Sequence, residues 1–192
     1  DKRFRVHQGG TRSGKTFAVC QYITYLLTTS TEPLIISIVR KTLPAAKGSV
    51  LRDLILILQQ TGLYYEGTHN KAENTFIYGE HIIEILSVDE PQKIRGRKRN
   101  IAFLNEANEL NIEDFRQINM RTTDFLIMDF NPSDPVHWIY DEIIPRDDCD
   151  TWITTYKDNK FLSEDLVFEI ERMKERDPDY WRVYGEGQKA VY

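Results

Sequence analysis

The sequence predicts an α/β fold, one domain built on a largely parallel sheet flanked by helices, and three observations predict it. Strand-length apolar segments alternate with segments of helical periodicity along the chain. The run LIISIV, residues 34–39, is continuously apolar and rich in β-branched residues, as a parallel strand covered on both faces requires. The pattern G-x-x-x-x-G-K-[ST], matched by Gly9, Gly14, Lys15 and Thr16, stands between a strand-like and a helix-like segment.

In chain order, residues 4–8 alternate apolar with polar and predict a short strand leading into the glycine loop. From Thr16 to about Leu27, Val19, Ile23, Leu26 and Leu27 share one helical face. After the strand at 34–39, a second helix carries Val50, Leu54, Ile57 and Leu58 on its buried side and stops at Gly62. NTFIYG and EHIIEIL, joined through Gly79 and Glu80, predict a small antiparallel hairpin insertion. IAFL at 101–104 and FLIMDF at 125–130 are two more buried strands, with a helix starting near Asn111 between them. Residues 151–156 make a last strand. Ser163 caps a helix carrying Leu166, Ile170 and Met173, and Pro178 opens a short helical segment.

A chain of 192 residues holds one well-buried domain more readily than two. Its 41% hydrophobic and 29% charged residues, with seven prolines, describe an ordinary globular protein without repeats or low-complexity tracts. The longest apolar runs, such as LILIL at 54–58, are far too short to span a bilayer and no secretory signal precedes them, so no membrane partner and a cytoplasmic location are expected. Cys20 and Cys149 form no metal-type pair and read as passive. His7, His69, His81 and His137 show no ligand spacing, and Trp138 and Tyr140 read as packing. The first residue, Asp1 rather than methionine, suggests an excised portion of a longer protein. Net charge, 25 − 30 = −5, gives no global attraction to nucleic acid. The local exception is KIRGRKR, residues 93–99, with five positive charges in seven residues.

The motif chemistry begins at Gly9, Gly10, Thr11, Arg12, Ser13, Gly14, Lys15 and Thr16, the loop expected to bind ATP. Glycines let consecutive N–H groups turn inward around phosphates, and the helix N-terminus adds partial positive charge. Lys15 reaches the β and γ phosphates, and Thr16 offers its hydroxyl to Mg²⁺. A second motif, IAFLNEANEL, ends a buried strand with Asn105 on the metal side and Glu106 where a general base would orient water. Asn105 departs from the aspartate usual there: an amide can hold a metal-bound water but contributes no charge. For Glu106 the alternative is a cap on a following helix. A third strand ends in Asn131-Pro132, which sets a side-chain amide beside the γ-phosphate region; an ordinary Asn-Pro turn is the alternative.

Together GGTRSGKT, IVRKTLPAAKGSVLRDL, KIRGRKRNIAFLNEANEL, FNPSDPVHWIYDE and YKDNKFLSEDLVFEIERMKERDPDYWRVYGEG, in this order and spacing, resemble the ATPase domain of the large terminase subunit of tailed bacteriophages. The resemblance covers essentially the whole chain, so residues 1–192 are expected to form one ATPase domain, with 185–192 beginning a linker to a nuclease domain that does not follow here. It implies a P-loop fold of the ASCE type, in which an extra strand separates the phosphate-loop strand from the metal-site strand. It also implies ATP hydrolysis with Mg²⁺ that drives double-stranded DNA into a procapsid in the host cytoplasm, alongside portal and small terminase subunit, as a homo-oligomeric ring when assembled and a monomer when alone. Asn131 then corresponds to the residue coupling hydrolysis to movement, and Arg12 to an arginine that contacts the γ-phosphate in cis. Arg40, and the cluster Lys93, Arg95, Arg97, Lys98 and Arg99, are candidates for DNA or inter-subunit contact, a solvated charge run being the alternative. Other readings are a helicase-like nucleic-acid-dependent ATPase, a P-loop nucleotide kinase, and a domain that binds nucleotide only to set assembly state. A GTPase is disfavoured because no N-K-x-D motif occurs.

Overall fold

Every strand the sequence predicts forms in the computed structural model, which describes residues 2–134 and 137–191. Asp1 and Tyr192, the ends of the expected domain, and Pro135 and Val136, inside the quoted FNPSDPVHWIYDE, lie outside the described residues. The strands are β1 (Phe4–Gly9), β2 (Ile35–Arg40), β3 (His69–Asn70), β4 (Thr75–Tyr78), β5 (His81–Ser87), β6 (Arg99–Leu104), β7 (Thr122–Phe130) and β8 (Cys149–Thr154), in an eight-stranded, mostly parallel sheet. The helices are α1 (Lys15–Thr29), α2 (Leu43–Gly48), α3 (Val50–Gln60), α4 (Pro91–Arg95), α5 (Ile112–Met120), α6 (Glu164–Arg176) and the single turn α7 (Pro178–Tyr180). Two compact units divide the chain, Asp1–Lys15 with Met128–Tyr192, and Thr16–Ile127.

The Thr16–Ile127 unit has the strand order β3-β4-β5-β2-β6-β7. Its core gathers Ile23 of α1, Leu54 and Leu58 of α3, Ile36 and Ile38 of β2, Phe76, Ile83 and Phe103, all fully buried. Burial of side chains of this size, worth about 1.5–3 kcal/mol each against exposure, is what fixes the helices on the sheet. Helix α3 buries the predicted Val50, Leu54, Ile57 and Leu58. Ahead of it the unexpected α2 is started by Thr42, whose hydroxyl accepts from the Ala45 N–H, and by Pro44 in the first turn. Helix α5 begins at the expected place because Asn111 and Asp114 form a reciprocal capping box. The predicted hairpin exists, with Tyr78 opposite His81, and its second strand is also part of the parallel sheet: β5 pairs with β2, Ile38 opposite Ile85. The reason is legible in its burial, since Ile83, Glu84, Ile85 and Leu86 are all enclosed, as in a strand covered on both faces.

In the other unit the order is β7-β1-β8, with β1 and β8 parallel from Phe4 opposite Cys149 to Gly9 opposite Thr154. Phe4, Val6, Phe130, Ile139, Ile143, Tyr156 and Trp181 form its core. Strand β8 stops at Thr154, two residues before the predicted end, because Thr155 turns the chain: its N–H donates to Asp158 Oδ2 (2.7 Å) and its hydroxyl accepts from the Lys157 N–H (3.3 Å). Ser163 caps α6 as expected, yet no residue of that helix is buried, and Leu166 and Phe168 are 39% and 61% exposed. Near the end of the described residues, Gln8 Nε2 donates to the Gly187 carbonyl (2.7 Å), the Ala190 N–H donates to the Pro132 carbonyl (3.0 Å), and Ala190 is buried.

Candidate functional site

Strand β1 delivers the glycine loop, and the residues around the loop leave no room for side chains at its root. A Cβ on Gly9 would lie 2.8 Å from both Ser13 Oγ and Thr154 Oγ1, and one on Gly10 would collide with the Tyr184 carbonyl oxygen. The Gly10 N–H donates to the Thr154 carbonyl (3.1 Å) and the Thr11 N–H to the Tyr184 carbonyl (2.6 Å). Arg12, at φ 61°, and Gly14, at φ 82°, then carry left-handed backbone through the bend. For an arginine that conformation costs roughly 1–2 kcal/mol, so the surrounding contacts must hold it. Ser13 Oγ and Thr154 Oγ1 are buried without a hydrogen-bond partner among the described residues. Lys15 opens α1, is 8% exposed, and donates from Nζ to Asn131 Oδ1 at 2.9 Å. Two residues predicted independently, from a loop motif and from a strand-end Asn-Pro, are thus joined directly. Arg12 is exposed.

On the Thr16 side, Asn105 Nδ2 donates to Thr16 Oγ1 at 3.3 Å. Asn105 is buried at the end of β6, and its N–H donates to the Val39 carbonyl (2.9 Å), which ties it to β2. Glu106 follows with φ 51° and opens a 3₁₀ turn, Ala107–Glu109, without capping it by its side chain. Among the described residues only Arg12, Asn74 and Glu106 combine a side chain with left-handed backbone, and two of these three are predicted catalytic residues; strain of this kind concentrates at functional sites. The oxygens that Thr16 and Asn105 offer are hard and neutral. That donor set fits a Mg²⁺ ion bound chiefly through nucleotide phosphates, and the described residues contain no cluster of three or more acidic, histidine or cysteine ligands that would hold a metal by itself.

Arg40 is held within its own unit rather than presented outward: it donates to the Ala45 carbonyl (3.2 Å) and the Ser49 hydroxyl, and pairs with Glu109 at 3.6 Å with its side chain 13% exposed. The basic stretch splits. Arg99, the first residue of β6, is 1% exposed, with Nε donating to Ser37 Oγ (2.7 Å) and Nη2 to the Ile94 carbonyl (3.0 Å), so it cannot contact DNA or another subunit. Ser37 in turn donates to Glu84 Oε1 (2.6 Å), and Arg97 meets Glu84 Oε2 at 3.1 Å. Burial pulls the Arg99 pKa down and Glu84 opposes this; the guanidinium remains charged. Lys93 pairs with Glu90 at 3.0 Å, while Arg95 and Lys98 are exposed. Sequence reasoning missed Ser37 and Glu84, though a serine and a glutamate inside buried apolar strands are signals that a polar partner must come from elsewhere. It also missed Thr154 and Asn159, which carry no local signal. His7 stacks on Trp152 (5.1 Å between ring centres), and burial lowers its pKa.

Residues 1–188 match the family described as phage terminase large subunit. The large terminase of a thermophilic bacteriophage, solved in complex with ADP, is 21% identical with a TM-score of 0.82, over 100% of this chain and 49% of that one. The large terminase ATPase domain of a Thermus phage is 15% identical with a TM-score of 0.69, over 97% and 88%. The large terminase of bacteriophage HK97 is 14% identical with a TM-score of 0.71, over 98% and 47%. The chain therefore spans about half the length of the full-length large terminases it matches. No curated protein matches it. At these identities the likeness is one of fold; in the strand order of this sheet β7 stands between β6 and β1.

Proposed function

Since the chain belongs to the phage terminase large-subunit family, we propose that it is an ATP-hydrolysing motor domain that drives double-stranded DNA into a procapsid. The observation that carries this reading is the hydrogen bond between Lys15 and Asn131. A buried ammonium in a phosphate loop needs an anion, and here a neutral amide from a strand end occupies it. When the γ-phosphate of ATP arrives, Lys15 turns to it and the Asn131 amide must find a new partner, so the end of β7 registers whether the phosphate is present. The N–H groups of the loop and the start of α1 bind the phosphates, and Arg12 stabilises charge developing on the transferred group. Thr16, with Asn105 behind it, would hold Mg²⁺, whose charge neutralises the phosphate oxygens. Glu106 orients the attacking water and takes its proton.

DNA, portal and small terminase subunit are the partners this reading supplies, with a homo-oligomeric ring as the working assembly and the host cytoplasm as its place. Among the described residues no helix is long and apolar enough to cross a membrane. The test is phosphate release from ATP by the chain, with and without double-stranded DNA, beside Glu106→Gln. The expected outcome is turnover that rises with DNA and falls about a hundredfold in the variant, with ATP still bound. ATP bound by the wild type but never hydrolysed would refute the motor and leave a nucleotide-gated assembly module, which the amide of Asn105 at the metal position would suit.

A further inference from the structure

We propose that Asn159 is a positioning residue for the phosphate loop: its side-chain amide sets the direction of a loop N–H group that receives phosphate. Asn159 Nδ2 donates to the Arg12 carbonyl oxygen at 3.1 Å. The described peptide bonds are all trans, so the Arg12 carbonyl and the Ser13 N–H project from opposite edges of one rigid plane. Drawing that oxygen outward onto Asn159 turns the Ser13 N–H inward, toward the concavity where an anion sits. The same residue lies over the next bend of the loop, its Cγ 3.7 Å and Cβ 3.8 Å from where a Cβ on Gly14 would stand. Arg12 holds a left-handed φ of 61° that its side chain disfavours, and the Asn159 bond is a contact that resists its relaxation.

Asn159 is itself fixed by more than one contact. Its Oδ1 accepts from the Phe161 N–H (3.1 Å), which leaves Nδ2 facing the loop. Its own N–H donates to the Tyr156 carbonyl (3.1 Å), within the turn that Thr155 and Asp158 cap at the end of β8. Strand β8 pairs with β1, which carries the loop. The segment from Thr154 to Asn159 therefore touches the loop twice, through the Thr154 carbonyl on the Gly10 N–H and through Asn159 on Arg12.

This inference rests on the proposed nucleotide site, and the experiment separates the two. The chain is compared as wild type, Asn159→Ala and Asn159→Asp. Aspartate keeps the acceptor for the Phe161 N–H and so the local turn, but cannot donate to Arg12. Amide hydrogen exchange is measured without nucleotide, and affinity is measured with a fluorescent ATP analogue. Both variants are expected to exchange faster across residues 12–16 than wild type. They should also bind the analogue about threefold to tenfold more weakly, the range of one hydrogen bond, with saturated turnover within about twofold. Wild-type loop exchange in Asn159→Asp overturns the proposal, as does faster exchange confined to residues 155–163. If loop exchange rises as expected while the wild type binds no analogue, the positioning role stands and the ATP site fails.

Discussion

The phosphate loop and the basic stretch carry positive charge in opposite ways. Residues 9–16 contain only Arg12 and Lys15, and the surrounding structure works on the backbone: glycines admit carbonyls at van der Waals distance, and Thr154, Asn159 and Tyr184 fix individual peptide groups. Residues 93–99 contain five charges, and the structure works on side chains, taking Arg99 into the sheet, tying Arg97 to Glu84 and Lys93 to Glu90. The difference teaches that the glycine loop is shaped through its peptide groups around one committed ammonium, whereas a run of charge in sequence is first of all a set of groups in need of partners.

The contrast breaks most sharply at Lys15. Lys15→Ala should lower ATP turnover about a hundredfold or more in a steady-state phosphate-release assay; turnover within about tenfold of wild type would remove Lys15 from the site. Arg99→Met should leave nucleotide affinity as it is and lower stability by about 3 kcal/mol, because Ser37 and the Ile94 carbonyl lose their buried donor and Glu84 keeps only the exposed Arg97 as a cation. A urea midpoint equal to that of wild type would show that this network is dispensable. The smallest effect is expected at the exposed pair. Arg95→Ala with Lys98→Ala should reduce the log–log salt slope of double-stranded DNA binding by about one for each phosphate that these two side chains neutralise, and an unchanged slope would return the stretch to a solvated loop.

Much of the fold could be read from periodicity because the buried faces are uninterrupted: Ile23 and Leu27 on α1, Leu54 and Leu58 on α3, Ile36 and Ile38 on β2 all lie where their spacing put them. Strand membership was harder. Gly79 and Glu80 between two strand-like runs announced a hairpin, but nothing local shows that β5 has a second neighbour, β2. Of the candidate site residues, Lys15 and Asn131 meet directly, as do Thr16 and Asn105, and each was legible as a strand end or a helix start. Asn159 was not, because its contact with Arg12 spans 147 residues and depends on the backbone of a turn. Arg99 was misread for the complementary reason: in sequence it is one of five like charges, and its partner Ser37 is 62 residues away.

The bond from Gln8 to Gly187 joins residues 179 apart. In biosynthesis that separation is a delay. At about 5–20 residues per second a ribosome finishes Gly187 roughly ten to forty seconds after Gln8, and until then the glycine loop lacks Tyr184, which takes the Thr11 N–H, and Gly187, whose φ of +66° lets it lie against Gly9 and Gly10. A nascent or prematurely terminated chain thus carries the complete motif without the contacts that shape it.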